Sequence, residues 1–308
     1  MEYFMKKQQL LGSLLLLAVA VIWGTAFVFQ RVGMDSIEPV TFTASRMTLS
    51  AVAVGILAVF LNKKETRGET AKRKSSARYS VIGGVFCGIF LASASIFQQK
   101  GIVYTTAGKA GFITAFYILL VPVIGFVIFR KRNTWLVWLA VLLGIAGMYL
   151  LCISDGFRLA QGDTYVFICA VLFSGHILCV DYFVRKGNAV QIAAFQFAAA
   201  AVISWAAAFI TETPGPEKII SALVPIAYCG LISGGVGYTL QIVAQKYTDP
   251  AVASLLMSLE SVFAVIAGAL ILHERMSSRE LVGCIVMFVS IIIAQIPVPS
   301  GRKTSDKE

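Results

Sequence analysis

Four ionisable side chains stand inside runs that otherwise suit hydrocarbon: Arg46 in "FTASRMTLSA", Lys109 in "YTTAGKAGFIT", His176 in "LFSGHILCVDY" and Glu260 in "SLLMSLESVF". In a bilayer such a group costs roughly 2.5–3.5 kcal/mol on insertion scales, so it must face a protein interior or a water-filled cavity. Lys109 and Arg46 can attract an anionic group such as a carboxylate. Glu260 and His176 can bind an amine, compensate charge or carry a proton, since an imidazole ordinarily titrates near neutrality. Trp23, Gln98, Thr114, Tyr117, Tyr238 and Ser258 supply polar and aromatic companions, and all ten are expected to bind substrate. No cofactor or metal is expected. The sequence holds no Gly-rich loop ending in Gly-Lys-Ser/Thr, no HExxH pair and no Cys or His cluster with ligand spacing. Nor is an enzyme expected: "LFSGH" sets Ser174 and His176 at i and i+2 of one helix, where they do not face each other.

Residues of this kind need elements that hold them at depth. Of 308 residues, 58% are hydrophobic and only 14% charged, and the mean hydropathy is +0.81. Those values are far from an ordinary soluble domain. Apolar runs of about 17 to 25 residues recur, each long enough as a helix to cross roughly 30 Å of hydrocarbon. Ten can be counted: residues 10–30, 40–61, 78–99, 106–129, 134–153, 163–183, 189–210, 221–243, 250–272 and 278–296. The runs lack the strict alternation of barrel strands, so helices are expected. Lys6 and Lys7 before an apolar stretch, with Ala18-Val19-Ala20 after it, imitate a leader; the run continues through "VIWGTAFVF" and reads as an uncleaved first span. Six cysteines fall within or at the ends of spans and imply packing rather than disulfides.

The net charge of +10 is explained by its placement. With the amino terminus inside, the inner segments hold 18 Lys and Arg and the outer loops six. This asymmetry orients the chain with both termini cytoplasmic, makes the lipid bilayer its partner and requires no nucleic acid. The loop "NKKETRGETAKRKSSAR" reads as a topology determinant rather than a lipid site.

The chain also echoes itself. At a spacing of 143, Tyr104-Thr105 falls on Tyr247-Thr248, Ala110 on Ala253, Gly125 on Gly268 and Arg132 on Arg275. Upstream, a spacing of 150 sets Gly12 on Gly162, Ala20-Val21 on Ala170-Val171, Val40 on Val190 and Ala51-Val52 on Ala201-Val202. Single matches mean little among small apolar residues; their collinearity is the signal. The chain thus reads as two five-helix repeats, residues 10–153 and 163–296, and an odd number of spans inverts the second. Inverted repeats with a midplane site between them are a recurring plan of secondary transporters. Gly84-x-x-x-Gly88 and Gly230-x-x-x-Gly234 stand in equivalent spans and permit close helix contact. Pro122 inside the fourth span is expected to kink it, and Pro250 suits the first turn of the ninth.

"WGTAFVFQ", "FTASRMTLSA", "YTTAGKAGFITAFYILLVPVIG" and "SLLMSLESVFAVIAGALILHER" resemble the drug/metabolite transporter superfamily, specifically its EamA-type bacterial members. The resemblance covers nearly the whole chain. It implies ten helices, both termini cytoplasmic, residence in the bacterial inner membrane, and movement of small metabolites, often outward. Cargo in that superfamily ranges from amino acids to sugars and nucleotide sugars. One departure stands out: similar chains often carry an acid after the fourth span as after the ninth, where His273-Glu274-Arg275 stands here, yet the earlier stretch is Arg130-Lys131-Arg132.

Depth ranks the charged groups. Counted from the outer side at a rise of about 1.5 Å per residue, Lys109 lies about 5 Å in, Arg46 about 9 Å and Glu260 about 15 Å. Lys109 is expected as a vestibule cation. Arg46 and Glu260 either pair structurally across the repeats or meet cargo. The expected function is a secondary transporter or facilitated exporter of a small metabolite, an amino acid or related polar or amphipathic compound, working by alternating access, with proton coupling through Glu260 or His176. The alternative is a lipid or lipid-linked flippase, or a ligand sensor without transport.

Overall fold

A backbone in lipid must satisfy its hydrogen bonds within its own segment, and the apolar runs become helices accordingly. The computed structural model describes residues 2–62, 70–130, 133–154, 158–245, 256–294 and 296. In chain order the helices are α1 (Glu2–Gly33), α2 (Pro39–Asn62), α3 (Thr70–Ile102), α4 (Ala107–Ala115), α5 (Tyr117–Phe129), α6 (Trp135–Cys152), α7 (Gln161–Val184) and α8 (Ala189–Thr211). They continue with the short α9 (Pro216–Ser221) and α10 (Leu223–Ala227), a π-helix (Tyr228–Gly237), α11 (Tyr238–Gln245), α12 (Glu260–Ile271) and α13 (Ser278–Ala294). A two-residue antiparallel pair, Ile153–Ser154 with Arg158–Leu159, joins α6 to α7. Among the described residues, eight helical segments are long and apolar enough to cross a membrane, Ala107–Ile128 and Leu223–Gln241 each combining more than one element. Leu256–Ile271 is a shorter apolar helix, and α13 has 17 residues. Tyr247-Thr248, Pro250, Lys131, Arg132, most of the basic loop and the carboxyl tail lie outside the described residues.

The two halves of the sequence interdigitate. α3 packs on α7 and α8, α2 on α8 and the π-helix, α1 on α12, and α6 on α13. Glycine allows the closest of these approaches. A Cβ added at Gly88 would lie 2.6 Å from Ala199 Cβ and 2.8 Å from the Gln196 carbonyl oxygen; one at Gly230 would lie 2.7 Å from Leu49 Cβ and 2.9 Å from the Arg46 carbonyl oxygen. At Gly55 nothing lies within 4 Å. Gly88→Leu is therefore expected to lower stability by about 1–3 kcal/mol through overpacking, with Gly55→Leu near neutral. Thermal unfolding of the two variants side by side checks this, and equal losses would remove the role given to the α3–α8 contact.

Two of the apolar helical segments are broken along their length. The first breaks at Phe116, between α4 and α5, and the second at Leu259, immediately before α12. The kink expected at Pro122 is thus displaced six residues: the proline sits inside α5, and the chain tightens at Phe116, whose amide reaches the Ile113 carbonyl at 3.2 Å. Asn133 Nδ2 donates to the Pro122 carbonyl at 2.8 Å. Among the described residues, the non-glycine residues with positive φ are Arg130 (52°) and His273 (54°), which end α5 and follow α12 respectively. Left-handed backbone at non-glycine residues is uncommon and stops a helix abruptly.

Candidate functional site

The broken and π-helical segments surround a cavity of about 850 Å³. That volume lies in the range of small-molecule sites, roughly 300–1,000 Å³. Most of its wall is aliphatic and aromatic. Eight of the ten expected residues line it: Trp23, Arg46, Gln98, Thr114, Tyr117, His176, Tyr238 and Glu260.

Arg46 projects from α2. It is buried, and its Nε and Nη2 have no hydrogen-bond partner. An unpaired guanidinium away from bulk water is costly, and an anion in the cavity would satisfy it. Glu260, the first residue of α12, is also buried, and Tyr117 donates to its Oε1 at 3.4 Å. No ion pair joins Arg46 to Glu260 among the described residues. A cation and a carboxylate thus face one cavity without neutralising each other.

The neutral polar groups are tied to neighbours. His176 Nε2 lies 3.1 Å from Gln196 Oε1, which makes Nε2–H the donor. Gln98 Nε2 donates to Thr114 Oγ1 at 3.2 Å. Trp23, from α1, packs 5.2 Å from Tyr238, and Phe197, from α8, meets the same tyrosine edge-on at 5.2 Å. Beneath these rings runs the glycine-rich π-helix "YCGLISGGVG", whose carbonyls are engaged from other helices: Trp23 Nε1 donates to Ser233 O at 3.2 Å and Ser50 Oγ to Gly230 O at 2.9 Å. π-helical turns frequently mark functional sites.

The cavity is open toward one end of the bundle. Its wall reaches Asp181, Val184 and Arg185 at the end of α7 and Ala189 at the start of α8. Toward the opposite end it stops at Gln30, Arg46 and Gln98, all buried.

Two expected site residues lie elsewhere. Lys109, expected as a vestibule cation, does not line the cavity. Its ammonium sits 2.9 Å from Asp163 Oδ2 and 3.7 Å from Glu280 Oε1, so carboxylates from α7 and α13 claim its charge. Ser258 is fully buried outside the cavity wall, and its carbonyl accepts from Ser261 Oγ at 2.9 Å. In their place the structure adds Gln196, Phe173, Phe197 and Gln30. The chain's internal spacing carried a signal for three of them: Gln196 stands 150 residues after Arg46, Phe173 after Trp23 and Phe197 after Met47.

The EamA-like transporter family matches residues 10–153 and again residues 160–295. An uncharacterized transporter of Archaeoglobus fulgidus is 27% identical over 295 residues, 94% of this chain and 88% of that protein. The uncharacterized transporter YoaV of Bacillus subtilis is 21% identical over 90% of this chain and 94% of its own length. A probable terminal-alkyne amino-acid exporter of Streptantibioticus cattleyicolor is 21% identical over 230 residues, 72% of each chain. A solved crystal structure superposes with a TM-score of 0.62 at 18% identity, covering 94% of this chain and 96% of that one, a likeness of fold. With the family matching both halves of an all-helical chain built of apolar helices, this is a multi-pass membrane protein, a transporter rather than an enzyme, and it belongs to the EamA-like transporter family.

Proposed function

We propose that the chain is a secondary transporter or facilitated exporter that carries a small amphipathic zwitterion, of the amino-acid type, through the central cavity by alternating access. The observation that carries this is the unpaired Arg46 and the buried Glu260 in one largely apolar cavity. A carboxylate on Arg46 and an ammonium near Glu260 would satisfy both charges at once, and the aromatic wall suits an apolar side chain. That the Streptantibioticus relative is named an amino-acid exporter agrees with this cargo class.

Alternation is often built from two halves related by inversion, and the reading includes ten crossings in two five-helix repeats, residues 10–153 and 163–296, with both termini cytoplasmic in a bacterial inner membrane. Several correspondences support it. At the 143-residue spacing the break at Phe116 falls on the break at Leu259, Arg130 on His273, and Tyr117 on Glu260, its own hydrogen-bond partner. Cavity-lining residues correspond likewise at 150: Trp23 with Phe173, Ala26 with His176, Arg46 with Gln196, and Met47 with Phe197. A pair of equivalent residues in contact is what a pseudo-twofold axis through the cavity requires.

Counterflow in proteoliposomes tests the cargo. Zwitterionic amino acids with apolar side chains are expected to exchange, and their amides or deaminated analogues to exchange at least tenfold more slowly. Lipid scrambling without solute flux would instead identify a flippase, and binding without flux a sensor. Proton coupling predicts that Glu260→Gln loses accumulation driven by a pH gradient while exchange survives. Accumulation retained in that variant would take Glu260 out of the coupling step.

A further inference from the structure

Away from the cavity, carboxylates gather at the end of the bundle remote from Arg185. Glu212, at the end of α8, accepts from the Val40 amide at 2.9 Å, the Thr41 amide at 2.7 Å and Thr41 Oγ1 at 2.7 Å. These are donors of the first turn of α2. Glu274, beyond α12, accepts from the Ala107 amide at 2.9 Å and the Gly108 amide at 3.3 Å, the first turn of α4. In each case a carboxylate from the second half of the chain closes the free N–H groups of a helix from the first half, where the helix dipole also favours negative charge. The space for Glu274 is provided by Gly268, at which a Cβ would lie 2.5 Å from Glu274 Oε2. Nearby, the ammonium of Lys109 is held by Asp163, which also accepts from Thr105 Oγ1 at 2.9 Å. Lys218 in turn pairs with Glu38, ahead of α2, and this contact holds the Glu38 carboxyl below its ordinary titration range.

Among the described residues, no carboxylate caps a helix of the other half at the open end. The residue 150 positions before Glu212 is Asn62, and the one 143 positions before Glu274 is Lys131; one is neutral and the other cationic. The start of α8 is capped by its own Asn188, whose Oδ1 accepts from Val190 N at 3.0 Å and Gln191 N at 3.1 Å. The Asn188 amide itself donates across the halves to Ser80 Oγ of α3 at 2.9 Å, so this end is joined by a neutral hydroxyl rather than by a carboxylate.

We propose that Glu212 and Glu274 form a latch that seals the outer face, each carboxylate of one half capping a helix of the other, and that this latch sets the empty carrier to rest open toward the cytoplasm. Opening outward breaks two charged caps that opening inward leaves intact. Solute is therefore loaded preferentially from the cytoplasmic side. This rests on the alternating-access reading above and assigns the gating residues and resting orientation that the reading leaves open.

Hydrogen exchange on the full-length protein in lipid nanodiscs tests the latch in Glu212→Gln, in Glu274→Gln and in the double variant. Each single substitution is expected to speed exchange about tenfold, the scale of a lost cap, in both outer segments, residues 38–45 and 105–112. Exchange at the open mouth, residues 181–190, is expected to slow in the same variants. Spin labels at the exposed Tyr104 and Ile220 should move apart in either variant. Each single variant keeps the other cap and so holds the outer face well enough to be purified. Faster exchange confined to the helix that lost its cap, with an unchanged label distance, would reduce the two residues to local caps and overturn the latch. The two readings are separable: wild-type protein without counterflow for any amino acid removes alternation itself, whereas counterflow with purely local exchange changes removes only the latch.

Discussion

Arg46→Met is expected to cut exchange of carboxylate-bearing solutes by about a hundredfold while the melting temperature of the empty protein holds or rises. Two of the three guanidinium nitrogens, Nε and Nη2, lack partners, and the side chain is buried in the cavity wall. A charge-assisted hydrogen bond contributes about 1.5–3 kcal/mol, so losing the carboxylate's contacts to this fork removes at least about 2.7 kcal/mol, a factor of a hundred. The stability term has the opposite sign, because replacing an uncompensated buried ion by an apolar side chain of similar length relieves desolvation. Arg46→Lys keeps the charge and loses the planar fork, so its exchange should fall between the other two. Counterflow and thermal unfolding on the same preparations check both halves. A methionine variant that melts lower and exchanges normally would make Arg46 a structural cation.

Lys109→Ala is expected to destabilise the fold by about 3–5 kcal/mol, the cost of breaking a buried ion pair from one side. The Asp163 side chain is 1% exposed, and without the ammonium at 2.9 Å it keeps only the Thr105 hydroxyl and its own helix surroundings. Glu280, 28% exposed, is better placed to recover water. Replacing both partners, Lys109→Met with Asp163→Asn, should restore most of the loss and leave solute exchange in place, since neither residue touches the cavity. Thermal unfolding of the single and double variants measures it. If Lys109→Ala melted like the parent and lost solute binding, the lysine would belong to the solute path.

The apolar runs were legible because helix formation in hydrocarbon is a local requirement. Each segment satisfies its own backbone, so length and hydropathy sufficed to locate the spans from α1 to α8, although α1 and α3 each begin eight residues before the apolar runs do. The breaks were less legible. Proline advertised a kink at Pro122, whereas the chain tightens at Phe116, whose sequence carries no breaker. The π-helix announced itself only as a glycine-rich stretch, although Trp23 and Ser50, distant in sequence, hold its carbonyls.

By itself, then, the sequence determined which segments form long apolar helices and that the chain echoes itself, because these can be read along the chain without knowing its tertiary contacts. Only the tertiary structure decided what each charge meets there. Lys109 and Arg46 are both cations within apolar spans, yet one is claimed by Asp163 and Glu280 and the other is left open to a cavity. The same holds for Glu260 and Glu274, one facing the cavity and the other capping α4. Depth prices a buried charge, but its role is set by partners 54 to 171 residues away, and no local pattern encodes those distances.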